Sequence, residues 1–156
     1  MEFRILGPLE VVEDDRPVKL DRRRLRALLA YLLLHANRPV SADQLIDEVW
    51  GPEPPKTAAA SLQNYISRLR KAIGSDLIVS QAPGYLLRVD PERFDLARFE
   101  RLVAEARRAG EPRERADKLR VALSLWRGPA LEDLAFESFA QTEIARLEEA
   151  RLEALE

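Results

Sequence analysis

Apolar and polar positions divide this 156-residue chain into two differently patterned stretches. Phe3 to Val12 alternates weakly and is rich in Phe, Ile, Leu and Val. Asp14-Asp15 marks a turn and Pro17 to Leu20 resumes as a short strand, so the chain is expected to open with an antiparallel hairpin. Arg22 to Ala36 then carries Leu25, Leu28, Leu29, Leu32 and Leu33 at helical spacing, and Asn37-Arg38-Pro39 ends that helix. Ser41-Ala42-Asp43-Gln44 matches the capping-box pattern, with Gln44 reaching back to the cap. The helix it opens buries Leu45, Ile46 and Val49 and stops at Trp50-Gly51. Pro52-Glu53-Pro54-Pro55 is rigid and non-helical until Pro55, which suits the first turn of the next helix. In that third helix Ala58, Leu62, Ile66, Leu69 and Ile73 recur every three or four residues, up to Gly74. Leu77 to Val79 and Tyr85 to Val89 read as strands joined through Ala82-Pro83-Gly84. Strands, three helices and a closing hairpin, in that order, form the winged helix-turn-helix arrangement.

Asp90-Pro91 reads as a boundary, giving a winged-helix domain over residues 1–90 and a second domain over 91–156. The second is patterned as helices over Phe94 to Ala109, Arg113 to Trp126 and Ser138 to Glu156, punctuated by Gly110 to Pro112 and Gly128-Pro129. Paired helices of this length resemble tetratricopeptide-type stacking. The fold class is therefore mainly α with small β-sheets. Pro91 leaves almost no flexible linker, which predicts a substantial interface between the two domains. The last helix carries Phe139, Ile144, Leu147, Ala150, Leu152 and Leu155, more apolar surface than one helix hairpin covers. It is expected to meet a second copy or to be the edge of a longer activation domain.

Charge sharpens this picture. No Asp or Glu occurs from Pro54 to Ser75, although 27 of the 156 residues are acidic. The net charge of −2 hides this local basic surface: residues 1–90 sum to +1 and residues 91–156 to −3. Opposite its apolar stripe the third helix presents Thr57, Ser61, Asn64, Tyr65, Arg68 and Lys71, with Arg70 on the flank. These groups suit phosphates and base edges. Arg offers a bidentate fork to guanine, and Ser, Tyr and Lys suit phosphate oxygens. An acid-free basic helix followed by a short hairpin looks like a recognition helix and its wing. Arg88 and the wing tip near Gln81 are candidates for an adjacent minor groove or its phosphates.

The string Ser61-Leu62-Gln63-Asn64-Tyr65-Ile66-Ser67-Arg68-Leu69-Arg70-Lys71 resembles the third helix of OmpR-type response-regulator DNA-binding domains, and Gly84-Tyr85 resembles the glycine-tyrosine of their wing. Three further stretches narrow the likeness: Phe3 to Val11, the Ser41-to-Gly51 helix, and Ala122-Leu123-Ser124-Leu125-Trp126-Arg127-Gly128-Pro129-Ala130-Leu131. Together they resemble the SARP class (antibiotic regulatory proteins), in which an OmpR-like domain precedes a bacterial transcriptional activation domain. That second domain normally continues for several more helices, so residues 91–156 are expected to be an incomplete one. The resemblance implies an activator of biosynthetic or secondary-metabolism genes that reads direct repeats of double-stranded DNA in the major groove. By the same likeness Arg68 is placed in the groove, Ser61, Tyr65 and Arg70 are backbone clamps, and Asn64 and Lys71 are further contacts. The loop Pro52, Glu53, Pro54, Pro55 and Lys56 is expected to lie near RNA polymerase, and paired binding of two copies on DNA is expected.

The remaining features read as structural. Arg22-Arg23-Arg24-Leu25-Arg26 sits at a helix start, where the macrodipole disfavours cations, so it is expected to contact phosphate or to pair with Asp21 and nearby acids. His35 is the only histidine and cysteine is absent, so no metal cluster, cofactor site or His-based triad is expected. Trp50 and Trp126 read as core or interdomain anchors. Glu148-Glu149 has nothing converging on it, and Glu143 with Arg146 or Glu149 with Arg151 reads as solvated helix charge. With no phosphate loop and no nucleophile-base pair, an enzyme is not expected. The longest apolar run, Ala27 to Leu34, is too short for a bilayer span, which fits a cytoplasmic protein without membrane contact. A protein-interaction module using the C-terminal helices without specific DNA binding is the alternative.

Overall fold

The computed structural model describes residues 1–156. Its first twenty residues form three short strands where a hairpin was expected: β1 (Glu2–Arg4), β2 (Glu10–Glu13) and β3 (Arg16–Pro17), an antiparallel meander in the order β1-β2-β3. The chain breaks between β1 and β2 because Gly7 takes φ +146° and Pro8 follows it. Asp14 and Asp15, both left-handed, make the second turn.

Helix α1 (Arg23–Leu34) has Leu25 and Ala27 through Leu33 buried. An apolar surface on nearly every side fits a central element, and α1 touches α2 (Ala42–Trp50), α3 (Ala58–Ile73) and α6 (Ser138–Leu155). At the start of α2 the Ser41 hydroxyl accepts from the Gln44 amide at 3.0 Å, but only half of the expected capping box forms. The Gln44 side chain donates instead to the Tyr31 hydroxyl. Pro55 also falls short of its expected place: α3 begins at Ala58, one residue after Thr57, whose side chain caps nothing.

A two-residue strand, β4 (Val40–Ser41), was not legible in the pattern. It pairs with β6 (Gly84–Leu87), which pairs with β5 (Ile78–Gln81), making a three-stranded wing sheet in the order β4-β6-β5. Its tight spot is Gly84, where a Cβ would stand 1.8 Å from the Val40 carbonyl oxygen.

Helices α4 (Asp95–Arg108), α5 (Pro112–Ser124) and α6 complete the chain. One core of 36 buried residues runs from Phe3 to Ala154, so the predicted contact between the two halves is present. The turn from Ile5 to Leu9 carries the polar contacts between them. The Ile5 amide donates to both Asp95 carboxylate oxygens at 2.9 and 3.0 Å, and the Leu6 amide to one at 2.9 Å. In return the Leu6 and Ile5 carbonyls accept from the Arg127 and Leu131 amides at 2.8 and 3.0 Å. The Leu9 amide donates to Asp133 at 3.0 Å, and the Arg127 guanidinium donates to the Pro8 carbonyl at 2.7 Å. Leu131 is fully buried in the left-handed region at φ 46°, which costs about 1–2 kcal/mol. That conformation aims its amide into the seam.

Trp126 is buried edge-on to Phe99 with ring centroids 5.5 Å apart, an anchor of the C-terminal helices. Along α6, Phe139 and Leu147 are buried and Ile144 and Ala150 half-buried, but Leu152 and Leu155 stay 61% and 63% exposed. Only the last turns of that apolar face are uncovered. No helix is long and apolar enough to cross a membrane.

Candidate nucleic-acid interface

Helix α3 buries Ala58, Leu62, Ile66, Leu69 and Ile73, the stripe its spacing predicted. Sixteen residues at 100° per step then fix what faces outward. Lys71 stands opposite the stripe, with Asn64 and Ser67 to either side, and all three are exposed. Thr57, Ala59, Ala60 and Gln63 are exposed as well, and Arg68, Ser61 and Tyr65 are half-buried on the flank. Ser67 was not singled out from the sequence, although a full helical wheel of the same residues points to it.

The flank is organised by aromatic rings. Tyr65 lies against Trp50 with ring centroids 5.8 Å apart, the Arg24 guanidinium sits 5.2 Å from the Trp50 ring, and that of Arg68 sits 5.9 Å from the Tyr65 ring. Trp50 is thus an anchor inside the winged helix. Its contacts hold the end of α2 against α3 and set the height from which Arg68 projects.

Arg70 is placed differently from a free clamp. Its guanidinium donates twice to the Ile78 carbonyl, at 3.1 and 2.8 Å, and once to the Ser80 hydroxyl at 2.9 Å, and it lies 5.9 Å from the Tyr85 ring. It ties the end of α3 to the wing. Arg88 is also separated from the wing tip. The tip is the Gln81–Gly84 pair, whereas the Arg88 amide donates to Leu77 at the base of the hairpin. Four residues of extended strand put it about 13 Å away from Gly84. Ser61, Asn64, Tyr65, Arg68 and Lys71 thus lie together on the outer side and flank of α3, and the exposed Arg88 lies at the base of the wing hairpin.

The α2–α3 loop exposes Pro52, Glu53, Pro55 and Lys56, with Pro54 half-buried. Two of the arginines at the start of α1 are turned toward the segment between α5 and α6. Arg23 pairs with Glu137 at 3.0 Å, and Arg26 pairs with Asp133 while donating to the Leu9 carbonyl at 2.6 Å. The acids they pair with are distant in sequence, and Asp21 is not among them. His35 closes α1, its Nδ1 3.0 Å from the Tyr31 carbonyl and its ring 4.4 Å from the Tyr31 ring. Glu148 accepts from the Ala130 amide and pairs with Arg151, whereas the sequence had pointed to Glu149 for that arginine. Glu143 pairs with Arg146 as expected. No three His, Cys, Asp or Glu side chains converge as a metal site.

A three-helix core, a wing sheet and an exposed acid-free helix between them define an OmpR-type winged helix, here joined to a tetratricopeptide-like helical unit. The family model described as transcriptional regulatory protein, C terminal, matches residues 15–89, and that of the bacterial transcriptional activator domain matches residues 94–156. The chain belongs to the SARP family of transcriptional regulators. It is 41% identical over 160 residues to regulatory protein AfsR of Streptomyces coelicolor, covering all of this chain and 16% of that protein. It is 38% identical over 170 residues to regulatory protein DnrI of Streptomyces peucetius, covering all of this chain and 62% of that one. The solved structure of Mycobacterium tuberculosis EmbR in complex with a low-affinity phosphopeptide superposes with a TM-score of 0.93 at 34% identity, over 98% of this chain and 43% of that one. The chain thus spans less than two thirds of each of these relatives.

Proposed function

We propose that the chain is a sequence-specific DNA-binding transcription activator, with α3 in the major groove of double-stranded DNA and residues 1–90 as the DNA-binding domain. The observation that carries this reading is the outer face of α3. Asn64, Ser67 and Lys71 are exposed on it without a carboxylate among them, and neither Lys71 nor Arg68 has an ion pair. Arg68 is the base-reading residue, with Ser61, Tyr65 and Lys71 on phosphates and Asn64 beside them. Arg70 acts through the wing, holding it beside the helix. Residues 91–156 form the activation domain, and the loop from Pro52 to Lys56 supplies the contact with RNA polymerase. Family membership supports a place at biosynthetic or secondary-metabolism genes, with two copies on tandem half-sites.

Fluorescence anisotropy on a direct-repeat duplex over a range of salt tests the reading. Affinity should fall linearly on a log–log plot, each phosphate contacted adding about 0.9 to the slope. A flat response would assign the chain to protein interaction alone. Sedimentation with one and two half-sites should show one and two copies bound.

A further inference from the structure

A second cationic site lies away from α3, at the seam between the N-terminal sheet and the C-terminal helices. A cavity of about 230 Å³ opens there, lined by β1, by the start of α4 and by the segment that follows α5. Four arginines line it, Arg4, Arg93, Arg98 and Arg127, against two acids, Glu2 and Asp95. The pairing is uneven. Arg4 is held by Glu2 and Glu10, and Arg127 by Glu10 and the Pro8 carbonyl. Asp95 is taken up by the Ile5 and Leu6 amides. That leaves the exposed Arg93 and the half-buried Arg98 lining the cavity with no carboxylate, carbonyl or hydroxyl bonded to either side chain. A partly desolvated guanidinium without an acceptor, as at Arg98, is unfavourable, and a second unpaired arginine lines the same cavity.

We propose that this cavity binds a small phosphate-type oxyanion between Arg93 and Arg98, fastening the first strand to the C-terminal helices. Size and geometry select the ligand. The volume falls below the roughly 300–1,000 Å³ of pockets for drug-sized molecules, so a whole nucleotide is too large. Guanidinium forks pair with phosphoryl oxygens two at a time, which a tetrahedral oxyanion accepts from both arginines together. A ligand held only by the folded chain raises its stability by mass action, so small-anion concentration is coupled to the rigidity of the seam.

The test uses the full chain and inorganic phosphate, exchanged for chloride at constant ionic strength, read by thermal denaturation and isothermal titration. The melting midpoint should rise saturably. Arg98→Gln should weaken phosphate binding about tenfold, the worth of one charge-assisted hydrogen bond, and Arg93→Gln with Arg98→Gln should abolish it. Arg98→Lys keeps the charge and loses the fork, so it should bind more weakly than wild type even if the double variant does not fold. An unsaturable rise, or an equal rise in the variants, would mean a general salt effect and overturn the proposal. So would saturation by succinate without saturation by phosphate. Loss of DNA affinity in the well-folded double variant would also overturn it, since the cavity would then belong to the DNA surface.

Discussion

Arg22-Arg23-Arg24-Leu25-Arg26 and Arg68-Leu69-Arg70-Lys71 look alike as strings, yet the fold puts them to opposite uses. In the first, Arg23 and Arg26 pair with Glu137 and Asp133 of the segment between α5 and α6, and Arg24 stacks on Trp50. In the second only Arg70 is hydrogen-bonded; Arg68 lies over Tyr65 and Lys71 has no partner. Position along the helix accounts for the difference. Cations at the start of α1 oppose the macrodipole, and acids from the segment between α5 and α6 offset that cost. Arg70 and Lys71 sit in the last turn of α3, where the dipole favours them, so nothing has to neutralise them. One basic cluster becomes a fastening and the other stays available to a polyanion.

If the seam is a fastening, removing its buried acceptor should have the greatest effect. Asp95→Ala strands two buried amides, at a cost of about 2–4 kcal/mol, a large share of the 5–15 typical of a domain. Urea denaturation should read that loss, while the fraction still folded should bind DNA normally. Acid adds a signature. Burial pushes the Asp95 carboxyl above its ordinary value, against the opposing pull of the Ile5 and Leu6 amides and Arg127. The folded chain therefore takes up that proton at higher pH than the unfolded chain does. The resulting stability is fully present below the unfolded value of about 3.9 and is lost as pH rises through the folded value. The gap between wild type and Asp95→Ala should accordingly be widest in acid and narrow on the way to neutrality. A gap that widened instead would show the amides outweighing burial.

Arg68→Ala should cost about 1–3 kcal/mol of specific DNA affinity and relax base preference at one position. Arg70→Ala should weaken every sequence by a similar amount, through a wing no longer held at Ile78 and Ser80. Anisotropy on operator and scrambled duplexes separates the two. If the Arg68 variant kept full discrimination, the reading residue lies elsewhere on the face, with Asn64 next in line.

Much of this was legible because long amphipathic helices announce themselves. The buried stripe of α3 followed from spacing alone, as did the three C-terminal helices to within a few residues. What stayed hidden had too little length or too distant a partner. Val40–Ser41 is two residues, too few for an alternation, and its pairing with β6 appears only once the chain has turned back. Asp95 reads as an ordinary acid at a helix start, since its acceptor role depends on amides about ninety residues away. The tie that Arg70 makes stayed hidden for the same reason: the sequence shows its charge but not the carbonyl of Ile78 that takes it up.

The smallest effects sharpen the contrast from the other side. Arg26 is mostly covered and holds both Asp133 and the Leu9 carbonyl, so Arg26→Ala should cost about 1–2 kcal/mol of stability. Arg23 makes its pair from a side chain that is 63% exposed, so Arg23→Ala should cost under about 0.5 kcal/mol and nothing detectable in high salt. Neither change should alter the salt slope of DNA binding, because both guanidinium groups are already neutralised by protein. Lys71→Ala, with almost no cost to stability, should lower that slope by about 1. A drop of the same size in Arg26→Ala would mean that the first cluster also meets phosphate. The pairing with Asp133 would then be a resting contact exchanged on binding, and α1 would belong to the DNA-binding face along with α3.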